Sequence, residues 1–177
     1  MHAYRVPNVD PEITMYLNQA SSDTYWDTAE NILREVVIDL DVRSKKLWTL
    51  DQIDKSELKK VYKIDELFLL TDNLNIFGIV FIQNRDPIFW PEVSQGDSIF
   101  LHKLAVRPQY RNQDLGFKIL TYVVALAKRK KIKWLRLDCD VRPELKTYYE
   151  NFGFTFVDEI RIEEFRVARY QLLVEDF

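Results

Sequence analysis

One segment near the middle of the chain constrains the fold more than any other. The run Ile99–Ala105 is mostly apolar, which is typical of a buried strand, and Pro108 ends its pairing because proline has no N–H to donate. Asn112 and Asp114 tolerate the left-handed conformations of tight turns, and Gly116 permits close packing where a helix begins. A helix start offers unpaired amides and a positive dipole end, so this segment is a candidate site for a diphosphate.

A second strand follows the helix that begins near Gly116. Lys133–Asp138 is predicted to return parallel to Ile99–Val106, because a crossover of this kind is right-handed. A βαβ unit of this type also occurs in dinucleotide-binding folds. That alternative is disfavoured, because the loop lacks the three-glycine fingerprint and the preceding elements are helices and a hairpin.

The remaining elements are predicted from apolar periodicity and turn residues. We expect a first helix from Asp10 and Pro11 through Ile13, Tyr16 and Leu17, and a second helix that Asp27 caps. The other predicted elements are a hairpin of Leu67–Leu70 and Ile76–Ile82, a helix from Pro143 to Gly153, and strands near Phe154–Glu159 and Arg166–Val174.

Composition bounds the class of protein. A chain of 177 residues with 47% hydrophobic and 14% aromatic content is expected to form one domain, residues 1–177. The net charge of −3 is mixed in sign, which disfavours a nucleic-acid partner. The start lacks a signal-peptide core and no run approaches roughly 18 apolar residues, so we expect a cytoplasmic protein without a membrane partner. One cysteine excludes an internal disulfide, and two histidines disfavour a metal cluster.

Two motifs resemble those of one family. VRPQYRNQDLG at Val106–Gly116 resembles the acyl-CoA-binding motif of the GNAT superfamily of N-acyltransferases, and LRLDCDVRPELKTYYENFGF at Leu135–Phe154 resembles its second signature. The resemblance covers roughly residues 65 to 175. It implies an α/β (α+β) GNAT fold with a mixed central sheet of six to seven strands, about four flanking helices, and splayed central parallel strands that form the acyl-CoA cleft.

The resemblance also implies acetyl-CoA as cofactor. The backbone of Leu104, Ala105 and Val106 would pair with the pantetheine arm, and the Val106 amide would polarise the thioester carbonyl. The implied diphosphate-binding residues are Arg111, Asn112, Gln113, Asp114, Leu115, Gly116 and Phe117. Arg142 falls near a position where the family often has an asparagine that contacts the cofactor.

The pattern departs from the family in the diphosphate loop, where Asn112 and Asp114 replace two usual glycines. An acidic group near a diphosphate is unfavourable unless it points into water or pairs with Arg111, so we expect weaker binding than in a glycine-rich loop. A loop that has lost cofactor binding is the alternative.

Tyr149 aligns with the tyrosine that protonates the departing CoA thiolate in many members of the superfamily. His102 lies on the strand before the cofactor segment and titrates in a range useful for taking a proton from the amine, although a lone strand histidine is equally often structural. Asp138 is predicted to hold a cationic acceptor. Trp26 and Trp90 are predicted to line the acceptor pocket, with core packing as the alternative for each.

The leading hypothesis is an N-acetyltransferase that moves the acetyl group of acetyl-CoA to a primary amine of a small molecule or peptide by direct attack. The alternative is a non-catalytic acyl-CoA-binding module with a degraded loop. A monomer and a homodimer both remain open, because an exposed sheet edge can pair between chains.

Overall fold

The structure is a computed structural model, and it describes residues 14–177. In this range the strands are β1 Tyr16–Gln19, β2 Leu67–Thr71, β3 Ile76–Gln83, β4 Ser98–Val106, β5 Trp134–Asp140, β6 Thr155–Ile162 and β7 Phe165–Leu173. The α-helices are α1 Tyr25–Val42, α2 Lys55–Val61, α3 Leu115–Arg129 and α4 Pro143–Phe152. None of the described helices combines the length and apolar character that crossing a membrane requires.

The strands of the described range form one sheet of seven in the order β1-β2-β3-β4-β5-β7-β6. The β4–β5 pair is parallel and every other pair is antiparallel. β7 lies between β5 and β6, so the last hairpin inserts its second strand into the sheet. The predicted mixed sheet, its strand number and the flanking helices are confirmed.

Helices cover both faces of the sheet. On one face, α1 and α2 pack Ile32, Leu33 and Leu58 against the sheet, and on the other α3 packs Ile119 and Val123. These residues recur at helical spacing, which is why each helix buries one stripe and exposes the other. The two faces are called the α1/α2 side and the α3/α4 side below.

Two predictions about the N-terminal region differ from the structure. Tyr16 and Leu17 lie in β1, where they pair with Thr71 and Leu70 of β2, so the predicted first helix is wrong over these residues. Cross-strand pairing decides the conformation of so short a segment. Asp10, Pro11 and Ile13 lie outside the described residues. The cap of α1 is Thr24, with Asp27 in the first turn, and α2 was not predicted.

The two parallel strands separate partway along their length. β4 and β5 pair from Ser98 with Trp134 to Leu101 with Leu137, but β4 continues to Val106 and β5 to Asp140. This divergence is the predicted splay of the central strands. It leaves one edge of the last part of β4 facing a gap instead of a neighbouring strand.

A β-bulge lies in β4 where the gap opens. Ile79 pairs with Ala105 and Phe81 pairs with His102, so β4 has one residue more than β3 over this stretch. Lys103 is at the bulge with φ 51°, a left-handed conformation that is uncommon for lysine. The extra residue places the side chains of His102 and Lys103 on the α1/α2 side, where they contact Tyr62 and Trp48.

Candidate active site

A cavity of about 570 Å³ occupies the gap between β4 and β5. It is lined on the α3/α4 side by Leu104, Leu120, Leu145 and Tyr149, and on the α1/α2 side by Trp48, Glu57, Tyr62, His102, Lys103 and Asp138. The cavity therefore passes through the sheet. One wall is mostly apolar and the other is rich in ionisable groups.

The turn before α3 has the conformation that the sequence predicts. Asn112 has φ 63° and Asp114 has φ 54°, so both occupy the left-handed region that the missing glycines would otherwise fill. Among residues 14–177, no acceptor meets the backbone N–H groups of residues 112–117, and the first helical hydrogen bond runs from Lys118 N to Asp114 O at 3.0 Å. The turn and the start of α3 thus present a run of unpaired amides.

The basic residues of this turn are engaged elsewhere. Arg107 pairs with Glu35 of α1 at 3.1 Å, and Arg111 pairs with Asp39 of the same helix. Arg111 therefore does not neutralise Asp114, whose side chain is exposed to water. Exposure to water lowers the repulsion between this carboxylate and a bound diphosphate.

Gly116 is required by its neighbour on α4. A Cβ atom at this position would lie 2.0 Å from the hydroxyl oxygen of Tyr148. Tyr148 also packs on Phe117, with the ring centroids 4.9 Å apart. Burial, and then the nearby Asp114, raises the pKa of Tyr148 to about 12. This glycine allows α4 to approach the start of α3.

Tyr149 lies on the cavity wall, as expected of a residue that meets the reacting group. Its ring packs edge-on against Tyr148 and Phe154 at centroid distances of 5.2 and 5.8 Å. Burial raises its pKa, so the phenol keeps its proton at neutral pH. Cys139 lines the same cavity, and burial raises the pKa of its thiol to about 12, which makes it a poor nucleophile.

His102 faces a buried carboxylate. Its Nε2 atom lies 3.7 Å from Asp86 Oδ2, and neither atom has a hydrogen-bond partner among residues 14–177. Asp86 is 4% exposed and lies in the turn after β3. Burial lowers the pKa of His102 to about 4, an effect that the charge of Asp86 partly opposes. The imidazole is therefore neutral at pH 7 and can accept a hydrogen bond, but it is a weaker base than the sequence predicts because burial disfavours its charged form.

Asp138 of β5 and Lys103 complete this group of ionisable side chains. Burial, and then the charge of Asp86, raises the pKa of Asp138 to about 7. Burial lowers the pKa of Lys103 to about 8, while Asp138 opposes this change. Both groups therefore titrate close to neutral pH. The ammonium of Lys103 lies over the ring of Trp48, 4.7 Å from its centroid.

The guanidinium of Arg142 forms hydrogen bonds within the protein. Its Nη1 donates to Lys45 O at 2.8 Å, its Nη2 donates to Lys46 O, and its Nε donates to Asp140 Oδ1 at 3.2 Å. The segment Lys45–Trp48, called the strap below, is thereby tied to the end of β5. The structure places Arg142 at the strap, so it gives no support to a direct contact with the cofactor.

The two tryptophans predicted at the acceptor pocket lie in the core instead. Trp26 is 3% exposed and stacks on Phe81 at 6.2 Å between centroids. Trp90 is 1% exposed and packs against Phe100 and the guanidinium of Arg169. The core-packing alternative describes both residues, because neither reaches the cavity wall.

The structure thus brings some of the predicted site residues together and separates others from them. His102, Leu104, Asp138 and Tyr149 meet at the cavity, and Asn112–Phe117 present their amides at the start of α3. Ala105 is buried on the α1/α2 side, and Val106 packs on the α3/α4 side. Sequence reasoning missed Asp86, Lys103 and Trp48. The Asp-Pro pair at residues 86–87 signals a turn but does not show that its carboxylate faces His102.

Comparison with known proteins adds a family assignment. The family model described as an acetyltransferase (GNAT) domain matches residues 36–168. No curated protein matches the chain.

Solved structures resemble this fold at low sequence identity. An acetyltransferase of the GNAT family from Listeria monocytogenes has a TM-score of 0.71 at 16% identity, covering 89% of this chain and 95% of that chain. The ribosomal-protein-S18-alanine N-acetyltransferase from Escherichia coli has a TM-score of 0.64 at 16% identity, covering 91% and 94%. A Salmonella typhimurium protein described with its cofactor acetyl-CoA has a TM-score of 0.64 at 12% identity, covering 91% and 94%.

Proposed function

Because the chain belongs to the GNAT acetyltransferase family, we propose that it transfers the acetyl group of acetyl-CoA to a primary amine of a small molecule or peptide. One observation carries this proposal: the cavity crosses the sheet between β4 and β5, with Tyr149 on one wall and His102 and Asp138 on the other. A donor and an acceptor can therefore meet from opposite faces of the sheet.

The residues around the cavity fit acetyl-CoA. The unpaired amides of residues 112–117 suit a diphosphate, and the left-handed Asn112 and Asp114 preserve the turn without glycine. The unpaired edge of β4 at Leu104–Val106 suits an extended, amide-containing arm. Acetyl-CoA supplies a thioester, whose carbonyl the Val106 amide polarises in this proposal.

Tyr149 and the α1/α2 wall have complementary tasks in the transfer. The Tyr149 phenol keeps its proton and donates a hydrogen bond to the departing thiolate. Asp138 titrates near pH 7, so its ionised form can take the proton that a protonated amine must lose before it attacks, while the neutral His102 accepts a hydrogen bond from the amine. The high pKa of Cys139 favours direct attack by the amine over an acetyl-cysteine intermediate.

Calorimetry with acetyl-CoA, together with a thiol-release assay over a panel of primary amines, tests this function. We expect saturable cofactor binding and amine-dependent release of CoA. Binding without release for any amine would favour the non-catalytic module. The absence of both binding and a thermal shift would contradict both functions.

A further inference from the structure

We propose that Asp86, His102 and Asp138 form a binding site for a primary ammonium group, and that the acceptor enters the cavity in this protonated form. The statement that the bound ammonium belongs to the acceptor rests on the proposed function. The site itself is argued from three side chains that come from the turn after β3, from β4 and from β5.

Asp86 supplies the first observation. Its Oδ1 accepts hydrogen bonds from the backbone N–H groups of Ile88 at 3.1 Å and Phe89 at 2.9 Å, which fixes the carboxylate in place. Its Oδ2 is buried, has no hydrogen-bond partner among residues 14–177, and points towards His102. A buried carboxylate oxygen without a partner is strongly unfavourable, so a hydrogen-bond donor or a cation at this atom would stabilise it.

The spacing of the three groups supplies the second observation. One ligand atom each from Asp86, His102 and Asp138 lie within 4.8 Å of one another. A primary ammonium has three N–H donors, and hydrogen bonds of about 2.8 Å in tetrahedral directions place their acceptors about 4.6 Å apart. Ligands of a divalent metal at about 2.1 Å would lie roughly 3.0 to 3.4 Å apart. The 3.7 Å between Asp86 Oδ2 and His102 Nε2 lies between these two spacings, and the 4.8 Å limit for the whole set reaches the spacing that an ammonium requires.

The charges around the site favour a monovalent cation. Two carboxylates and a neutral imidazole face one cation, Lys103, whose ammonium lies over Trp48 and forms no ion pair with another described residue. Arg169, the other cation that acts on Asp138, is itself paired with Asp158 and Glu92. One further positive charge therefore balances the site.

The same geometry defines the class of acceptor. Each N–H that alkylation removes leaves one of the three acceptors unpaired, so secondary and tertiary ammonium groups should bind more weakly than primary ones. A carboxylate next to the nitrogen would be repelled by Asp86 and Asp138. The rings of Trp48, Tyr62 and Phe89 on the cavity wall suit an alkyl chain. We therefore infer an alkylamine or a side-chain amine in preference to the α-amine of a free amino acid.

Proton NMR of the histidine ring tests the site without any turnover. The chain has two histidines, so the His2→Ala variant leaves His102 as the only imidazole signal. We expect n-butylamine at pH 8 to shift this signal in a saturable way and N,N-dimethylbutylamine to bind at least about tenfold more weakly. Asp86→Asn and Asp138→Asn should each weaken butylamine binding at least about tenfold.

Asp86→Asn is a clean probe, because an asparagine oxygen can still accept from Ile88 and Phe89 while the charge is lost. Asp41→Asn, which removes one exposed carboxylate from α1, is the matched control and should leave binding unchanged. An unshifted His102 signal with every amine would overturn the proposal. Tight, stoichiometric binding of Zn²⁺ or Mn²⁺ that butylamine does not displace would overturn it in favour of a metal site.

The two proposals fail in different ways. Amine-dependent CoA release with an unshifted His102 signal, and with Asp86→Asn as active as the parent, would reject the ammonium site and leave the acetyltransferase function standing. A saturable ammonium site with no CoA release for any amine would reject the function and retain the site.

Discussion

The start of α3 and the α1/α2 side of the cavity offer different kinds of group to the proposed ligands. At the start of α3 the available groups are main-chain amides of consecutive residues, 112–117, with few side chains engaged. On the α1/α2 side, the groups are side chains from three separate segments: His102, Lys103 and Asp138 line the cavity, and Asp86 is buried next to His102. Backbone recognition depends on the shape of a turn, whereas side-chain recognition depends on residue identity. The backbone of the turn can therefore stay constant while the side chains on the α1/α2 side change with the acceptor.

The largest expected effect is that of Tyr149→Phe on turnover, which should change without a change in cofactor binding. Tyr149→Phe removes the donor to the departing thiolate but keeps the ring that packs on Tyr148 and Phe154. We expect kcat to fall about 100-fold or more, with the Kd of acetyl-CoA changed less than about twofold. Steady-state kinetics and calorimetry measure the two quantities. Tyr148→Phe is the matched control, and an equal loss of kcat in both variants would contradict the role of Tyr149.

The next effect concerns pH on the acceptor side. Burial and the Asp86 charge raise the pKa of Asp138 to about 7, and Lys103 and Arg169 oppose this. Because the ionised form would hold the ammonium, kcat/KM for the amine should fall about tenfold per pH unit below pH 7. In Asp138→Asn this dependence should disappear, with a plateau at least about tenfold lower. A pH profile that is identical in the variant would exclude Asp138 from acceptor binding.

Removal of the Asp138 carboxyl group is also expected to stabilise the protein. An unfolded aspartate has a pKa of about 3.9, so the native state binds its proton more tightly and loses stability as the pH rises from about 4 to about 7. Asp138→Asn should therefore raise Tm by at least about 4 °C at pH 8 and change it little at pH 4. Thermal unfolding at the two pH values checks the sign. An equal shift at both would point to packing instead of charge.

A smaller effect tests the backbone side. Gly116→Ala places a Cβ atom where the Tyr148 hydroxyl lies, 2.0 Å away, so the start of α3 or the Tyr148 ring must move. We expect the affinity for acetyl-CoA to fall about tenfold, with the KM of the amine nearly unchanged. In the Tyr148→Phe background, the added Cβ atom would lie 3.3 Å from the nearest ring atom of residue 148. Much of the lost affinity for acetyl-CoA should therefore be recovered. No recovery would show that the glycine acts through something other than Tyr148.

The smallest effect concerns the strap. Arg142→Lys keeps the charge but replaces the planar guanidinium, whose separate nitrogens contact Asp140, Lys45 O and Lys46 O, with a single nitrogen, so the strap should loosen. We expect the KM of the amine to change about twofold to fivefold and the Kd of acetyl-CoA to stay constant. A change confined to the cofactor would instead support the cofactor contact that the sequence suggests.

Sequence patterns predict the parts of the molecule that depend on neighbouring residues in the chain. The parallel strand pair, the left-handed Asn112 and Asp114, and the helix end at Gly153 all follow from local steric rules. The strand β1 was not predicted, because a four-residue edge strand is stabilised by its partner β2. The contact of Asp86 with His102 depends on how the turn after β3 lies against β4, which no local pattern encodes. Trp26 and Trp90 show the same limit, since composition cannot distinguish a core tryptophan from one on a cavity wall.

The bulge in β4 makes the two walls of the cavity independently variable. Because Lys103 is an added residue, Leu104 and Val106 keep their places on the α3/α4 side for any residue at position 103 that tolerates its φ of 51°. A substitution there changes the charge next to His102 without altering the apolar surface behind the sheet. In the proposed enzyme, a change of acceptor can therefore evolve at this half-buried position without a change in the wall that is proposed to meet the thioester.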